Sequence, residues 1–170
     1  MGYIHDVNMI AILGPEIIQI DDAQAWDDKV ASNLWTKDRT AGASTFMLKI
    51  PVFLPQNTVS GIGSYIRAID IWYTVLTDPL TSLSATIYKA ARPANGAAWG
   101  APVSQAFTYD SGHSGAPGRV TVAYHMMTLT ITTPFWLLTA DEAYVQIAAQ
   151  AAGTPVIKYH GARLTYTLRL

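Results

Sequence analysis

The sequence predicts an all-β fold, a two-sheet antiparallel β-sandwich with an N-terminal arm, and three observations carry that expectation. The last eight residues alternate, with Leu164, Tyr166, Leu168 and Leu170 against Arg163, Thr165, Thr167 and Arg169. That is the period-two pattern of a strand with one buried and one wet face. Further apolar and β-branched runs occupy 45–53, 64–77, 83–88, 119–133, 143–149 and 155–159. Turn chemistry separates them at Asp78-Pro79, Asn95-Gly96, Gly112 to Gly118, Asp141-Glu142 and Gly153. Short strands punctuated in this way read as a sandwich or a barrel.

Taken in order, residues 1–40 read as an acidic arm and 41–170 as the sandwich. The first 28 residues hold Asp6, Glu16, Asp21, Asp22, Asp27 and Asp28 and no Lys or Arg; the remaining six acids face all eleven bases. Such an arm is either solvated or laid on a basic surface. Within it, Glu16–Ile20 suits a short strand, and Asp21–Leu34 a helical turn or two anchored by Trp26 and Leu34. Thr45–Phe53 is a strand closed by Pro51 and Pro55, and proline removes a ladder donor and marks an edge.

Over Ser64–Thr77, the residues Ile69, Ile71, Tyr73 and Val75 share one face. Ile66, Ala68, Asp70, Trp72 and Thr74 share the other, which is mixed in polarity and expected to lie under a loop or a neighbour. Residues 90–105, with Pro93, Gly96, Gly100 and Pro102, form a long loop. The run 119–133 carries a parity conflict: Val120, Val122, Tyr124 and Met126 are even, whereas Leu129 and Ile131 are odd. One alternation cannot bury both halves, so a β-bulge near Met126–Thr128 is expected, with Thr128, Thr130 and Thr132 as a wet row.

The 170 residues suit one domain. Only 14% are charged, against about 25% in an average globular protein. A surface so poor in charge suits association, because interface cores are depleted in charge. No basic run points to nucleic acid, no apolar run nears the roughly 18 residues of a membrane helix, and the N-terminus lacks a signal peptide's basic segment. Cysteine is absent, which removes disulfides and thiolate chemistry. No cofactor is expected.

The chemical motifs are thin, and the chain reads as a non-enzyme. Gly112-His113-Ser114-Gly115-Ala116 is similar to a nucleophile elbow, which would make Ser114 with a His the basis of a hydrolase. That motif needs a helix after the serine, and Gly115, Pro117 and Gly118 oppose one, so the segment reads as a hairpin loop. His5, His113, His125 and His160 lack metal spacing, and His125 with His160 is the pair that a sandwich could bring together. Asp21-Asp22 and Asp27-Asp28 lack a calcium-loop spacing and read as solvated or capping. Asp70, if buried, needs hydrogen bonds or an Arg such as Arg67. Five Trp and nine Tyr are enough for a sugar-stacking platform, and Trp99 in the long loop and Tyr109 are the candidate ligand-binding residues.

Three segments together carry a family resemblance: Ala25-Trp26-Asp27-Asp28 before the first long strand, Leu48-Lys49-Ile50-Pro51-Val52-Phe53-Leu54-Pro55 as a strand into a proline-closed turn, and Ile69-Asp70-Ile71-Trp72-Tyr73. With a final strand at the C-terminus, this order resembles the small jelly-roll structural proteins of tailed-phage and other virions. The resemblance implies a jelly-roll topology for the sandwich and a non-enzymatic role as a capsid decoration, fibre or tail component, assembled in the host cytoplasm and located in the virion. It also implies a homo-oligomer, by analogy a trimer, bound to other virion proteins, with Trp26, Asp27, Asp28 and Trp72 at the interfaces. The alternative is a carbohydrate- or receptor-binding sandwich module that uses Trp99 and Tyr109 to hold a glycan.

Overall fold

A computed structural model describes residues 6–31, 34–54, 63–91, 97–98, 100–137 and 141–169. Among them are thirteen strands: β1 (Asp6–Leu13), β2 (Gln19–Asp22), β3 (Trp26–Ala31), β4 (Leu34–Arg39), β5 (Ser44–Val52), β6 (Gly63–Leu76), β7 (Ser82–Ala91), β8 (Val103–Gln105), β9 (Phe107–Tyr109), β10 (Ala123–Ile131), β11 (Trp136–Leu137), β12 (Asp141–Ala151) and β13 (Val156–Arg169). One short helix, α1 (Ala116–Val120), joins them. Sheet A runs β3-β4-β13-β6-β10-β9, with β1 also on β13 and β11 also on β6; sheet B runs β2-β5-β12-β7-β8. Every pairing is antiparallel. The chain is thus an all-β, two-sheet antiparallel sandwich of jelly-roll type.

Alternation builds the core. Phe46, Leu48 and Ile50 from β5, and Val145 and Ile147 from β12, meet Ile69, Ile71 and Val75 from β6 and Leu164 from β13; all are buried. The intervening positions point outward, and those of β6, β10 and β13 make the outer face of sheet A.

Five expectations change. The segment Asp21–Leu34 is strand and not helix: β3 pairs with β4 in the register Trp26↔Arg39 to Ala31↔Leu34. That register sets Asp28 opposite Lys37, whose ammonium it meets at 2.8 Å. Residues 6–39, read above as part of an arm, supply four strands, with β1 and β4 on β13 and β2 on β5. The short strand placed at Glu16–Ile20 is split: Pro15–Ile17 forms a single turn of tight helix, and β2 begins at Gln19.

The bulge expected near Met126–Thr128 is absent. β10 pairs with β6 without a shift from Ala123↔Val75 to Thr130↔Ala68. His125, Met127, Leu129 and Ile131 turn inward, and Tyr124 and Met126 face solvent. The helix that Gly115, Pro117 and Gly118 were expected to oppose does form: α1 takes in Ala116–Val120, and Pro117 is tolerated there because first-turn N–H groups need no helical acceptor. The bulges lie between β6 and β13, at Tyr159/Gly161 and Thr165/Tyr166. Gly161 takes φ +120°, and a Cβ there would sit 2.8 Å from the Leu13 carbonyl oxygen, so the first bulge requires glycine. The second, around Arg67, reverses parity and sends Ile66 into the core.

Candidate functional site

The outer face of sheet A gathers the side chains that β6, β10 and β13 turn to solvent. Register places Met126 beside Trp72, with Trp72 opposite Gly161 on the far side. One residue pair along, Tyr124, Thr74 and Lys158 form a row. Tyr124 is 83% exposed and Met126 50%. With Leu34, 64% exposed on β4, and His160, they border a shallow depression of about 390 Å³ over Trp72.

Polar groups held in fixed geometry frame this apolar patch. Asp70 is buried and both carboxylate oxygens are engaged. Thr128 Oγ1 donates to Oδ1 at 2.6 Å, and Arg163 donates to Oδ2 from Nε at 2.8 Å and approaches it with Nη2 at 2.7 Å. The partner is therefore Arg163 rather than Arg67. This pairing lays the guanidinium of Arg163 beside the indole of Trp72, 5.5 Å from its ring centre. On the other side, Thr74 Oγ1 and His160 Nε2 are hydrogen-bonded at 2.7 Å. Burial holds His160 below the ordinary histidine value, although Asp38 pulls it upward. Lys158 is paired with Asp38 at 2.7 Å. The face therefore presents two rings, hydroxyls and a guanidinium, with each of these ion pairs closed on itself.

The other sequence-derived candidates fall elsewhere. Trp26 stands edge-on to Phe46 at 5.7 Å, and its Nε1 donates to Asp22 at 2.8 Å. Asp27 and Asp28 are surface ion-pair partners of Lys29 and Lys37. Tyr109 packs on the core edge-on to Phe107, accepts the Ala85 N–H at 2.8 Å and lies under Arg119. Trp99 lies outside the described residues.

His125 and His160 are not hydrogen-bonded to each other: His125 turns inward, stacks on Tyr73 at 4.6 Å and bonds to His113 at 3.2 Å. His113 Nδ1 meets Asp110 at 2.9 Å, and Ser114 Oγ donates to the Ser111 carbonyl at 3.2 Å. Both nitrogens of His113 are therefore engaged away from Ser114. Among the described residues no group of three or more His, Cys, Asp and Glu is placed to hold a metal. On the outer face of sheet B, Tyr88 and Tyr144 lie 5.2 Å apart, with the Lys49 ammonium 5.4 Å over Tyr144. Sequence reasoning missed Tyr124 and Met126 as partners of Trp72. The signal was the parity conflict in 119–133, which registers an apolar outer face.

No family model and no curated protein matches the chain. Among solved structures, it is similar to TmCBM61, a structure determined with β-1,4-galactotriose, at 9% identity and TM-score 0.38, over 92% of this chain and 86% of that one. It is similar to the family 11 carbohydrate-binding module of Clostridium thermocellum, in complex with a mixed-linked tetrasaccharide, at 8% identity and TM-score 0.35, over 96% and 89%. A third, the Agl-KA catalytic domain, matches at 8% identity and TM-score 0.43, over 91% of this chain but 27% of that one. At such identities the likeness speaks only of fold.

The expectation of a virion structural protein is corrected here. These structures are carbohydrate-binding modules and a catalytic domain, and none is a capsid decoration, fibre or tail component. The mixed face of β6, read above as a subunit contact, holds a shallow depression over Trp72.

Proposed function

We propose that this chain is a carbohydrate-binding module that holds a glycan against the outer face of sheet A. The observation that carries the reading is the pairing of Trp72 with the open ring of Tyr124 over a depression framed by bonded polar groups. A pyranose has an apolar face of C–H groups and a rim of hydroxyls. Aromatic rings accept the first, and fixed donors and acceptors such as Arg163, Thr128, Thr74 and His160 suit the second. The side chains stand on central strands, which hold geometry better than loops do. The role is binding without turnover: Asp70, the carboxylate beside the ring, has both oxygens engaged and is not free to act as a base.

A glycan array followed by titration calorimetry tests this, with folding checked by circular dichroism. The wild type binds at least one oligosaccharide, and Trp72→Ala weakens it by about 2 kcal/mol, roughly thirtyfold. Binding to no glycan overturns the proposal. So does binding that survives Trp72→Ala and disappears in Tyr144→Ala, which would move the site to sheet B.

A further inference from the structure

We infer that the ligand is a linear oligosaccharide laid along β6, with an uncharged sugar seated at one end on Trp72 and Tyr124 and the other end on Tyr65 and Trp136. This rests on the glycan reading above and adds the ligand's length, direction and charge.

The second aromatic station is on the same face. Trp136 pairs with Tyr65 across β11 and β6, their rings 4.8 Å apart. Arg67 lies over the Tyr65 ring at 4.9 Å and donates from Nε to Thr167 Oγ1 at 3.1 Å. Tyr65, Arg67, Trp136, Thr167 and Asp6 border a depression of about 340 Å³. Tyr65 and Trp72 are seven residues apart on one strand, which at about 3.3 Å per residue, less the bulge at Arg67, sets the stations roughly 20 Å apart. A single sugar cannot bridge that distance, whereas an extended chain of several can.

The ground between the stations suits such a chain. Ala68 leaves a low floor in the middle of β6. Thr128 and Thr130 on β10, and Arg163 and Thr165 on β13, flank it on either side. These are hydroxyls and a guanidinium, spaced along the strands and able to meet a rim of sugar hydroxyls. Around Trp72, though not at the Tyr65 end where Arg67 brings a guanidinium, charge selects against an acidic sugar. The positive charge of Arg163 is neutralised by Asp70, and that of Lys158 by Asp38, so a sugar carboxylate beside Trp72 would meet Asp70 with no unpaired cation next to it. His160 adds no charge at neutral pH, because burial holds its pKa low.

The test uses neutral β-1,4-linked gluco- and galacto-oligosaccharides, from the disaccharide to the octasaccharide, with oligogalacturonate of matched length as the charged control. Affinity for the bound neutral series rises by on the order of tenfold or more once the ligand spans both stations. Trp136→Ala removes that gain and leaves the shortest bound ligand unchanged, whereas Trp72→Ala weakens every length. If Trp136→Ala does not fold, Tyr65→Ala serves as the second variant. Short ligands that bind in a Trp72-dependent way with no gain in length overturn this inference and leave the glycan reading standing. Equal affinity for oligogalacturonate overturns the charge argument. No binding at any length overturns both readings.

Discussion

Trp26 and Trp72 are the same side chain in opposite settings. Trp26 closes a corner in which every partner is satisfied. Asp22 takes Arg39 Nε at 2.6 Å, the Trp26 indole N–H at 2.8 Å, Ser44 Oγ at 2.7 Å and the Gln24 amide at 3.0 Å. Arg39 and the Asp22 carboxylate are both fully buried in this knot. Trp72 stands at the middle of a sheet face among residues that are bonded to each other and still open to solvent. A tryptophan whose N–H and edges are used inside the fold contributes stability. One that is framed but uncovered is free to meet a ligand.

The largest effect that probes this contrast is at Arg39. Arg39→Met leaves Asp22 charged and buried without its partner, which costs about 3–5 kcal/mol. Urea unfolding measures it. A loss below about 1 kcal/mol would mean that the corner is wet and that the contrast with the Trp72 face is false.

Next come the two tryptophans themselves, exchanged one at a time. Trp26→Ala loses its contact with Phe46 and its bond to Asp22, for about 2–3 kcal/mol of stability, and leaves glycan affinity unchanged in the fraction that folds. Trp72→Ala costs about 1 kcal/mol of stability, the scale of a cross-strand pair, and carries the loss of binding stated above. Equal stability losses at the two sites would break the comparison.

How legible this was in the sequence differs between the two regions. The strands of the core were plain from alternation, because Ile69, Ile71 and Val75 had an unambiguous inward parity. Ile66 was misassigned, since a bulge at Arg67 leaves no mark in periodicity. Trp26 was read as an anchor of a helical turn within the acidic arm and as an interface residue. Its strand partner, Arg39, lies thirteen residues on and meets it only through strand pairing. Trp72 was singled out correctly as a residue on a mixed face. Tyr124 and Met126 were assigned inward because apolar residues were assumed to seek the core. That rule runs one way only: much of a folded surface is apolar.

Acid should attack the corner. Burial pushes the Asp22 carboxyl up, but its bonds from Arg39, Gln24, Ser44 and Trp26 outweigh that and hold it below the ordinary carboxylate range. Asp110 is likewise held low, with the Thr128 N–H and His113 outweighing burial. A carboxyl with a lower pKa folded than unfolded gives stability that is complete above its unfolded value, about 4, and is lost as pH falls through the folded one. The urea midpoint is therefore expected to fall in two stages: a first below about pH 6.5, where His160, held low by burial, takes a proton more readily unfolded than folded, and a second below about pH 4.5, as Asp22 and Asp110 protonate. A midpoint that stays constant in acid would show the carboxylates to be unperturbed.

The smallest expected effect on stability is at Tyr124, and it isolates the open side of the comparison. At 83% exposure the ring gives the fold little, so Tyr124→Ala should leave stability within about 0.5 kcal/mol. Its ring is 6.4 Å from that of His160 and borders the depression over Trp72, so the same change removes one wall of the proposed platform. Glycan affinity should fall by about 1 kcal/mol, roughly fivefold, less than at Trp72 because Tyr124 lies at the rim, where truncation costs less than at the centre. A Tyr124→Phe variant separates ring from hydroxyl: stacking predicts that it binds as the wild type does. If Tyr124→Phe is as weak as Tyr124→Ala, the hydroxyl and not the ring is the contact, and the face works by hydrogen bonding around Trp72 alone.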